Sequence, residues 1–482
     1  MVPWRTVETG TALAAAASGA GALWITAPEG ETWVWGAAAL ALLAAAAILV
    51  EAVGRAGWSG GALSPAGVVS AALCILFAAR PVALAGKSTL ATPGLAKLGF
   101  SNADLVRATS IGVLGLVCFA LPLLALMPRG QRRVVARIRA RGLRSAVVLV
   151  AAGLVGTALW VRLFLHAGGF HALAHDPAQL HLRQFGGIYG TFGLLLCLTG
   201  SLVGVVAYLS THSRPMLASA AVNGALGMAG SVLLASRQPL VATVLAVLII
   251  LAGHLSRRQA VAVGLAVTVL AVALSYGRTI RENAQIEPLG RASADALHKS
   301  PAEMAGGDQV EFDHLVALVE IVPGRLDWLR GRSIAYIPAA FVPRSAWPDK
   351  PLPIDYRLSK QIYGPTAAAG TPFTLPGELY WNFGPAGVTI GMVVLGLLAG
   401  LGWRALSSSR RAAAQMLAAL VVGFTYFLLT RPLAPMVQIT TVAAVAFLAM
   451  LGLASFRPLR PAPAEQTPDD DDAEDVREDE AG

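Results

Sequence analysis

Charged side chains are scarce in this 482-residue chain, which is 13% charged and 55% hydrophobic. Soluble domains carry about 25% charged residues, so the composition excludes an ordinary soluble protein and indicates a membrane protein. Cysteine is also rare. Cys74, Cys118 and Cys197 all fall inside apolar runs, and this placement excludes a disulfide framework or a cysteine-based zinc site.

Long apolar runs make up most of the chain. A helix needs roughly 20 apolar residues to cross a bilayer, and such runs must be helical because lipid offers no partner to a free backbone amide. The sequence therefore predicts an all-α, polytopic membrane protein with about 12 transmembrane helices. The runs lie near residues 11–27, 33–53, 66–85, 107–127, 145–166, 186–209, 215–235, 238–253, 259–276, 385–403, 412–430 and 435–455.

The distribution of arginine predicts the orientation. The connection between the fourth and fifth runs is rich in arginine, and the short loops on the same side collect most of the others. By the positive-inside rule both termini are cytoplasmic. The excess of arginine in the cytoplasmic loops then explains the net charge of +9. We therefore predict no nucleic-acid binding. The predicted organisation is nine spans in 1–276, a large extracytoplasmic loop at 277–384, three spans in 385–456 and a disordered acidic cytoplasmic tail at 457–482.

The large loop is nearly neutral and rich in aromatic rings. Ring faces beside carboxylates and amides suit sugar binding; the alternative is that the rings form the core of a small folded cap. Within the loop, residues 311–331 predict one helix that ends near Pro323. The prolines between Ile337 and Pro353 predict an extended or turning segment instead.

Several arginines lie at the predicted outer membrane face, where a buried charge costs about 2.5 to 3.5 kcal/mol and tends to be paired or functional. Arg237 lies in the tight turn SRQP, and Arg278 and Arg281 follow the ninth run. Their guanidinium groups could grip one diphosphate from two sides. A polyprenyl-diphosphate-linked sugar would present such a group at this depth. For Arg162 and Arg431, at the same face, we expect the side chains to extend to the interface.

Two sequence blocks close the large loop: PRSAWPDKP, and GELYWNFG, which runs directly into the tenth apolar run. Together with the long outer loop they resemble the bacterial oligosaccharide repeat-unit polymerases, the O-antigen polymerase (Wzy-type) family. The SRQPL turn resembles that family's serine-arginine entry to a span. The matching residues are Ser236, Arg237, Pro343, Arg344, Trp347, Pro348, Lys350, Pro351, Gly377, Glu378, Tyr380, Asn382, Phe383 and Gly384.

The resemblance implies a membrane glycosyltransferase of GT-C-like architecture in the bacterial cytoplasmic (inner) membrane. Its donor and acceptor would both be undecaprenyl-diphosphate-linked oligosaccharides, joined into a long surface polysaccharide at the outer face. No metal or other cofactor is needed. Such enzymes commonly work with a chain-length regulator and a flippase. The residues expected to bind substrate are Arg237, Arg278, Arg281, Lys350, Trp347, Tyr380 and Asn382.

Three residues are candidates for the catalytic step. Arg344 is expected to stabilise the leaving diphosphate. Glu378 is the first candidate for the general base that takes the proton of the attacking hydroxyl, although it could equally be a structural partner of Arg344 or Lys350. His314, next to Asp313, is the second candidate.

Two other functions stay open on the sequence. An O-antigen-ligase-type glycosyltransferase would use the same donor with another acceptor. A flippase or transporter would move the lipid-linked glycan without chemistry, and it should show broken or charged helices at corresponding midplane positions of two repeats. The polar residues instead gather at one face, which favours an enzyme.

Overall fold

Helices dominate the computed structural model of this chain. One antiparallel pair of two-residue strands, β1 (Ile138–Arg139) and β2 (Arg457–Pro458), accompanies them. The structure describes residues 3–87, 99–129, 138–139, 142–171, 188–234, 237–251, 310–342, 346–347, 349–364, 371–409, 411–453 and 457–458.

The first half of the chain forms mostly long apolar helices, and α3 and α5 begin at capping side chains. The Ser64 hydroxyl accepts a hydrogen bond from the Gly67 amide, and Ser101 and Asp104 form a reciprocal capping box; both satisfy amides that a helix start leaves free. The helices are α1 (Pro3–Thr26), α2 (Glu31–Ala62), α3 (Pro65–Ala72), a π-helix (Leu73–Ala79), α4 (Arg80–Leu84), α5 (Asn102–Leu126), α6 (Leu143–His166), α7 (Ile188–Thr211), α8 (Arg214–Leu233) and α9 (Arg237–Leu251).

The second half combines four short helices with three long ones. The longest begins at Thr374, whose hydroxyl accepts a hydrogen bond from the Gly377 amide at 3.2 Å. The helices are α10 (Val310–Ile321), α11 (Arg332–Ala335), α12 (Ile337–Ala340), α13 (Ile354–Tyr363), α14 (Leu375–Ser407), α15 (Ala412–Thr430) and α16 (Leu433–Leu453).

Nine helical stretches in the described part of the chain are long and apolar enough to cross a membrane. This confirms the prediction of an all-α protein with several membrane-spanning helices. The first predicted run lies in α1, the eighth lies in the shorter α9, and the ninth, 259–276, lies outside the described residues. The nine are Glu31–Gly57, Pro65–Leu84, Asn102–Leu126, Leu143–His166, Tyr189–Thr211, Arg214–Leu233, Leu375–Ser407, Ala412–Thr430 and Leu433–Leu453.

The span from Pro65 to Leu84 changes its helical winding in the middle. The π-helix between α3 and α4 ends directly before Arg80 and Pro81. Pro81 has no amide hydrogen to donate to the preceding turn, so a regular α-helix cannot continue through it. π-Helical insertions are frequent at functional sites. Here the irregular turn leads into Arg80, which is buried.

The described part of the large loop is packed into the protein. Helix α10 is buried on all sides, and Phe312 and Leu315 belong to the same hydrophobic core as α1, α2, α5 and α14. The Gln438 side chain of α16 donates a hydrogen bond of 2.8 Å to the Ala340 carbonyl at the end of α12. These contacts fix the loop against the membrane-spanning helices.

Two segments differ from the sequence prediction. Helix α14, which contains the tenth predicted run, begins at Leu375 and not at the predicted residue 385. The stretch from Ile337 is a single helical turn instead of extended chain, because Pro338 occupies the first turn of α12, where no amide donor is needed. The predicted helix that ends near Pro323 is confirmed as α10.

Candidate functional site

A kink in α14 organises the first part of this helix. Gly384 has φ +70° and ψ −163°, a conformation that favours glycine strongly. The next residue, Pro385, has no amide hydrogen, so it cannot donate to the Trp381 carbonyl as a helix would require. That carbonyl instead accepts a hydrogen bond of 3.0 Å from the Leu329 amide. The kink thereby ties the loop backbone to the start of α14.

Asn382 continues this attachment with both its backbone and its side chain. Its backbone carbonyl accepts from the Arg330 amide at 3.2 Å. Its side-chain oxygen accepts from the Gly331 amide at 2.9 Å, and its side-chain nitrogen donates to the Ser333 hydroxyl at 2.7 Å and to the Glu378 carbonyl at 2.8 Å. Asn382 is 1% exposed. This geometry favours a positioning role over the predicted contact with substrate.

Tyr380 is also part of the internal packing. Its hydroxyl donates to the Val322 carbonyl at 3.2 Å, and its ring packs edge-on against Trp24 and Trp328. Only 4% of the residue is exposed. Tyr380 and Trp381 of the GELYWNFG block thus belong to the core, the alternative that the sequence left open, whereas Phe383 is 50% exposed. Tyr380 positions the loop instead of lining a cavity.

An open cavity of about 580 Å³ lies between the loop and the last membrane-spanning helix. Its walls come from α11, α12, the first turn of α13 and the chain before it, and the first turn of α16. The side chains that matter chemically are Arg332, Ser333, Tyr336, Trp347 and Arg357. The cavity therefore combines two cations, a hydroxyl and two aromatic rings.

Arg332 and Arg357 are both exposed, and neither forms an ion pair with any residue that the structure describes. Trp347 is 41% exposed on the same cavity. Guanidinium groups without carboxylate partners are available to bind an anion, and an exposed ring face is available to stack on a ligand. The sequence pattern identified Trp347 but missed both arginines.

Lys350, the predicted substrate contact next to Trp347, is used inside the loop. Its ammonium group donates hydrogen bonds to the carbonyls of Ala340 (3.3 Å) and Val342 (2.9 Å) and lies 5.5 Å from the centre of the Tyr336 ring. These contacts hold the proline-rich segment against α12. They favour a structural role for Lys350, and Lys350 is not a partner of Glu378.

Glu378 lies in the first turn of α14 and is 1% exposed. Its Oε2 accepts a hydrogen bond of 2.5 Å from the Leu433 amide, at the start of α16, where the helix dipole favours a negative charge. The Ser333 hydroxyl and the Asp355 carboxyl group are further polar neighbours. Oε1 has no hydrogen-bond partner among the described residues, so this carboxyl group keeps a free acceptor.

Asp355, the first acidic residue of α13, is a second buried carboxylate. Burial raises its pKa to about 6, against the lowering effects of the Tyr356 and Asp355 amides and of the Arg431 charge. Its Oδ1 has no hydrogen-bond partner in the described part of the protein. No sequence pattern identified this residue beyond its place shortly after the WPDKP block.

Arg431 joins three parts of the chain. Its guanidinium group lies 3.3 Å from Glu311 Oε1. The Gln238 amide, oriented with its oxygen toward Arg431, accepts from Nε at 2.5 Å and from Nη2 at 3.1 Å. Glu311 of the loop and Gln238 of α9 thus bind Arg431, whose side chain is 29% exposed, and the expected position of this side chain at the membrane interface stays a prediction.

His314, the second candidate base, is 1% exposed. Its Nδ1 lies 2.6 Å from the Pro372 carbonyl, which can only accept, so Nδ1 donates. Nε2 then accepts from the Tyr363 hydroxyl at 2.8 Å. His314 does not line the cavity, and these two bonds anchor α10 to the chain around α13.

The remaining predicted residues are not tested by this geometry. Arg237 is the first residue of α9, and its side chain is not among those described. Arg278, Arg281 and Arg344 lie outside the described residues, so their contacts with phosphate stay predictions. Comparison of the chain with protein-family models, curated protein sequences and solved structures gave no match.

Proposed function

We propose that this protein polymerises undecaprenyl-diphosphate-linked oligosaccharide repeat units at the outer face of the bacterial cytoplasmic membrane. In this proposal the chain has about 12 spans, cytoplasmic termini and a GT-C-like architecture. The observation that carries it is the open cavity between the loop and α16, where the exposed Trp347 ring lies together with Arg332 and Arg357, which form no ion pair with any described residue. A lipid diphosphate linked to a sugar requires this combination of groups.

The two arginines would bind the diphosphate. Each guanidinium group offers a planar fork of donors that matches phosphate oxygens. Because Arg332 and Arg357 are not neutralised by described carboxylates, their charge is available to the ligand. As the bond between sugar and diphosphate breaks, negative charge accumulates on the leaving group, and these cations would stabilise it.

The two rings would bind the sugar. Trp347 and Tyr336 lie on the same cavity as the arginines, and the C–H groups of a pyranose stack on aromatic faces. Glu378 would accept the proton that the acceptor hydroxyl loses. It does not line the cavity itself, but its neighbour Ser333 does.

The experiment is deletion and complementation in the native host, with the surface glycan sized by gel electrophoresis. Deletion should remove all chains longer than one repeat, and the double variant Arg332→Ala with Arg357→Ala should fail to restore them. The matched control is Arg325→Ala, which removes an exposed arginine of the same loop that does not line the cavity. Normal ladders in the deletion strain would refute the proposal.

The glycans of the deletion strain also distinguish the proposed polymerase from a ligase and from a transporter. A ligase deletion would leave long chains attached to undecaprenyl diphosphate. Loss of a transporter would leave single repeats on the inner leaflet, protected from enzymes added outside. Polymerase loss predicts single repeats that reach the outer surface.

A further inference from the structure

Exposed arginines flank three of the connections between membrane-spanning helices. None of them forms an ion pair with any residue that the structure describes. Their guanidinium groups are therefore available to an anionic partner. The five residues, which together form the basic surface of the protein, are Arg129 after α5, Arg144 at the start of α6, Arg214 at the start of α8, Arg404 near the end of α14 and Arg411 before α15.

Two of these connections are neighbours because α5 and α14 run parallel. Gly115 of α5 lies against Pro376 at the start of α14, and Gly400 of α14 lies against Leu126 at the end of α5. Both helices therefore end on the same side of the protein. The large loop is bound to the first part of α14, so the cavity lies at the opposite end of this helix.

The third connection lies at the same end as the other two. Helices α6 and α7 run antiparallel, because Gly190 at the start of α7 lies against Leu163 near the end of α6. The end of α7 is therefore beside the start of α6, where Arg144 is found. Arg214 begins α8 directly after this end of α7, so it belongs to the same surface as Arg144.

A strand pair brings the last part of the chain to this surface. Strand β2 follows α16 and pairs with β1, which lies in the connection between α5 and α6, with Pro458 opposite Ile138. Ten residues, 459–468, separate β2 from Asp469. Ten extended residues span up to about 35 Å, which is several helix diameters. The residues after Asp469 can therefore reach any of the three connections.

The segment 465–482 has the charge that the basic surface lacks. It contains ten aspartate and glutamate residues and one arginine, and it has few apolar side chains to bury. Exposed ion pairs are individually weak. Here several carboxylates can act together, and the covalent connection gives the segment an effective concentration on the order of millimolar at the surface.

We propose that the acidic segment 465–482 binds in cis to the basic surface. Its carboxylates pair with the exposed guanidinium groups at the ends of α5 and α14 and at the starts of α6, α8 and α15. The segment thereby occupies cations that anionic lipid headgroups would otherwise bind. The basic surface and the cavity lie at opposite ends of α14, so this contact is independent of the proposed glycan chemistry.

The test measures release of the segment in the full chain, purified into nanodiscs of neutral lipid. A protease specific for glutamate cleaves after Glu474 at a rate that follows the population of released segment. Arg404→Gln with Arg411→Gln should raise this rate about fivefold at low salt, because exposed ion pairs are lost. At about 1 M salt this variant and the wild type should be cleaved equally, because the charges are screened.

A variant of the segment tests whether the two groups of charges bind each other. Its substitutions are Asp469→Asn, Asp470→Asn, Asp471→Asn and Asp472→Asn, which leave the glutamate cleavage site in place. In this background the two arginine substitutions should change the rate by less than about twofold, because their partners are already absent. A fivefold effect that persists there, or equal rates for the wild type and the arginine variant at low salt, would overturn the proposal.

The matched control removes two exposed arginines at the other end of α14. Arg325→Gln with Arg330→Gln causes the same loss of charge, and the Arg330 amide binds the Asn382 carbonyl in the first part of α14. This control should leave the cleavage rate unchanged. A fivefold rise would show that net charge governs release, and the basic surface would lose its role. Exposed substitutions should not lower the melting temperature of either variant.

Lipid headgroups are the alternative occupant of the basic surface. The comparison of wild type and Arg404→Gln with Arg411→Gln is therefore repeated in a bilayer with about one third phosphatidylglycerol. Slower cleavage of the wild type in this bilayer is the expected result. If both proteins are cleaved equally there, headgroups occupy the arginines and the assignment to the acidic segment is wrong.

Discussion

Arg80 and Asp313 form a buried ion pair with two parallel hydrogen bonds. Arg80 Nε lies 2.9 Å from Asp313 Oδ1, and Arg80 Nη2 lies 2.6 Å from Oδ2. The side chains are 5% and 0% exposed. The pair joins a membrane-spanning stretch, just after its π-helix, to helix α10 of the large loop. It is therefore a main attachment between these two parts of the protein.

Breaking this pair should destabilise the protein strongly. Arg80→Ala or Asp313→Asn leaves one charge buried without a partner, and we expect a loss of about 3 to 5 kcal/mol. The double variant Arg80→Met with Asp313→Leu removes both charges and should recover most of that loss. The measurement is thermal unfolding of the purified protein in lipid nanodiscs. Single variants that melt at the wild-type temperature would contradict this role.

The kink at Gly384 gives a second stability prediction. Gly384→Ala forces a side chain into φ +70°, and we expect a cost of about 1 to 3 kcal/mol from backbone strain. Gly402→Ala lies in the same helix, has no neighbouring atom within 4 Å of the added carbon, and should be neutral or slightly stabilising. The two melting temperatures should move in opposite directions. Equal shifts would show that the kink tolerates alanine.

Asp355 predicts a dependence of stability on pH. Its folded-state pKa of about 6 lies above the ordinary value of 3.8, so the folded protein holds this proton more tightly than the unfolded chain. The resulting stabilisation is complete below pH 3.8 and is lost as the pH rises through about 6. The difference between the two pKa values corresponds to about 3 kcal/mol.

Asp355→Asn cannot ionise and should therefore melt above the wild type at pH 8. At pH 4.5 the two proteins should melt within about 2 °C of each other, because Asp355 is then protonated in the folded state and costs little. Arg431 and Glu378 face the same group and are unchanged in both proteins. A stability difference that stays constant from pH 4.5 to pH 8 would contradict the assignment.

Trp347 should matter for activity and little for stability. Because 41% of it is exposed, Trp347→Ala should change the stability by less than about 0.5 kcal/mol. We expect glycan elongation to fall about tenfold, which corresponds to a stacking contribution of about 1.4 kcal/mol. Trp347→Phe keeps a ring and should stay within about threefold of wild type. Equal elongation rates in the alanine and phenylalanine variants would show that the Trp347 ring does not bind the sugar.

Apolar run length predicted most membrane-spanning helices, because run length and hydropathy are local properties. The ion pairs that α10 forms with the rest of the protein could not be predicted in the same way. Its carboxylates Glu311 and Asp313 bind Arg431 and Arg80, partners far away in sequence that no periodicity identifies. The pairing of Arg431 with Glu311 was not predicted for that reason.

For the candidate site, the sequence predicted aromatic and cationic side chains, but most of the individual residues that line the cavity were not among those predicted. Aromatic rings and cations of the loop do line a cavity, but the predicted contacts Tyr380, Asn382 and Lys350 satisfy backbone atoms of the loop. The Gly384–Pro385 dipeptide was a local signal for the kink, and with it for the freed carbonyl of Trp381. Arg332 and Arg357 carried no comparable signal, since only the folded loop brings them to one cavity.

The ion pair between Arg80 and Asp313 can form only late in translation, after both residues have been synthesised. Arg80 leaves the ribosome 233 residues before its counter-ion, so the early helices enter the bilayer with a cation that nothing yet neutralises. The amino-terminal half can settle into its final arrangement only after the chain has been translated as far as α10. A truncated product that ends before α10 would lack Asp313 and would therefore keep Arg80 without this carboxylate partner.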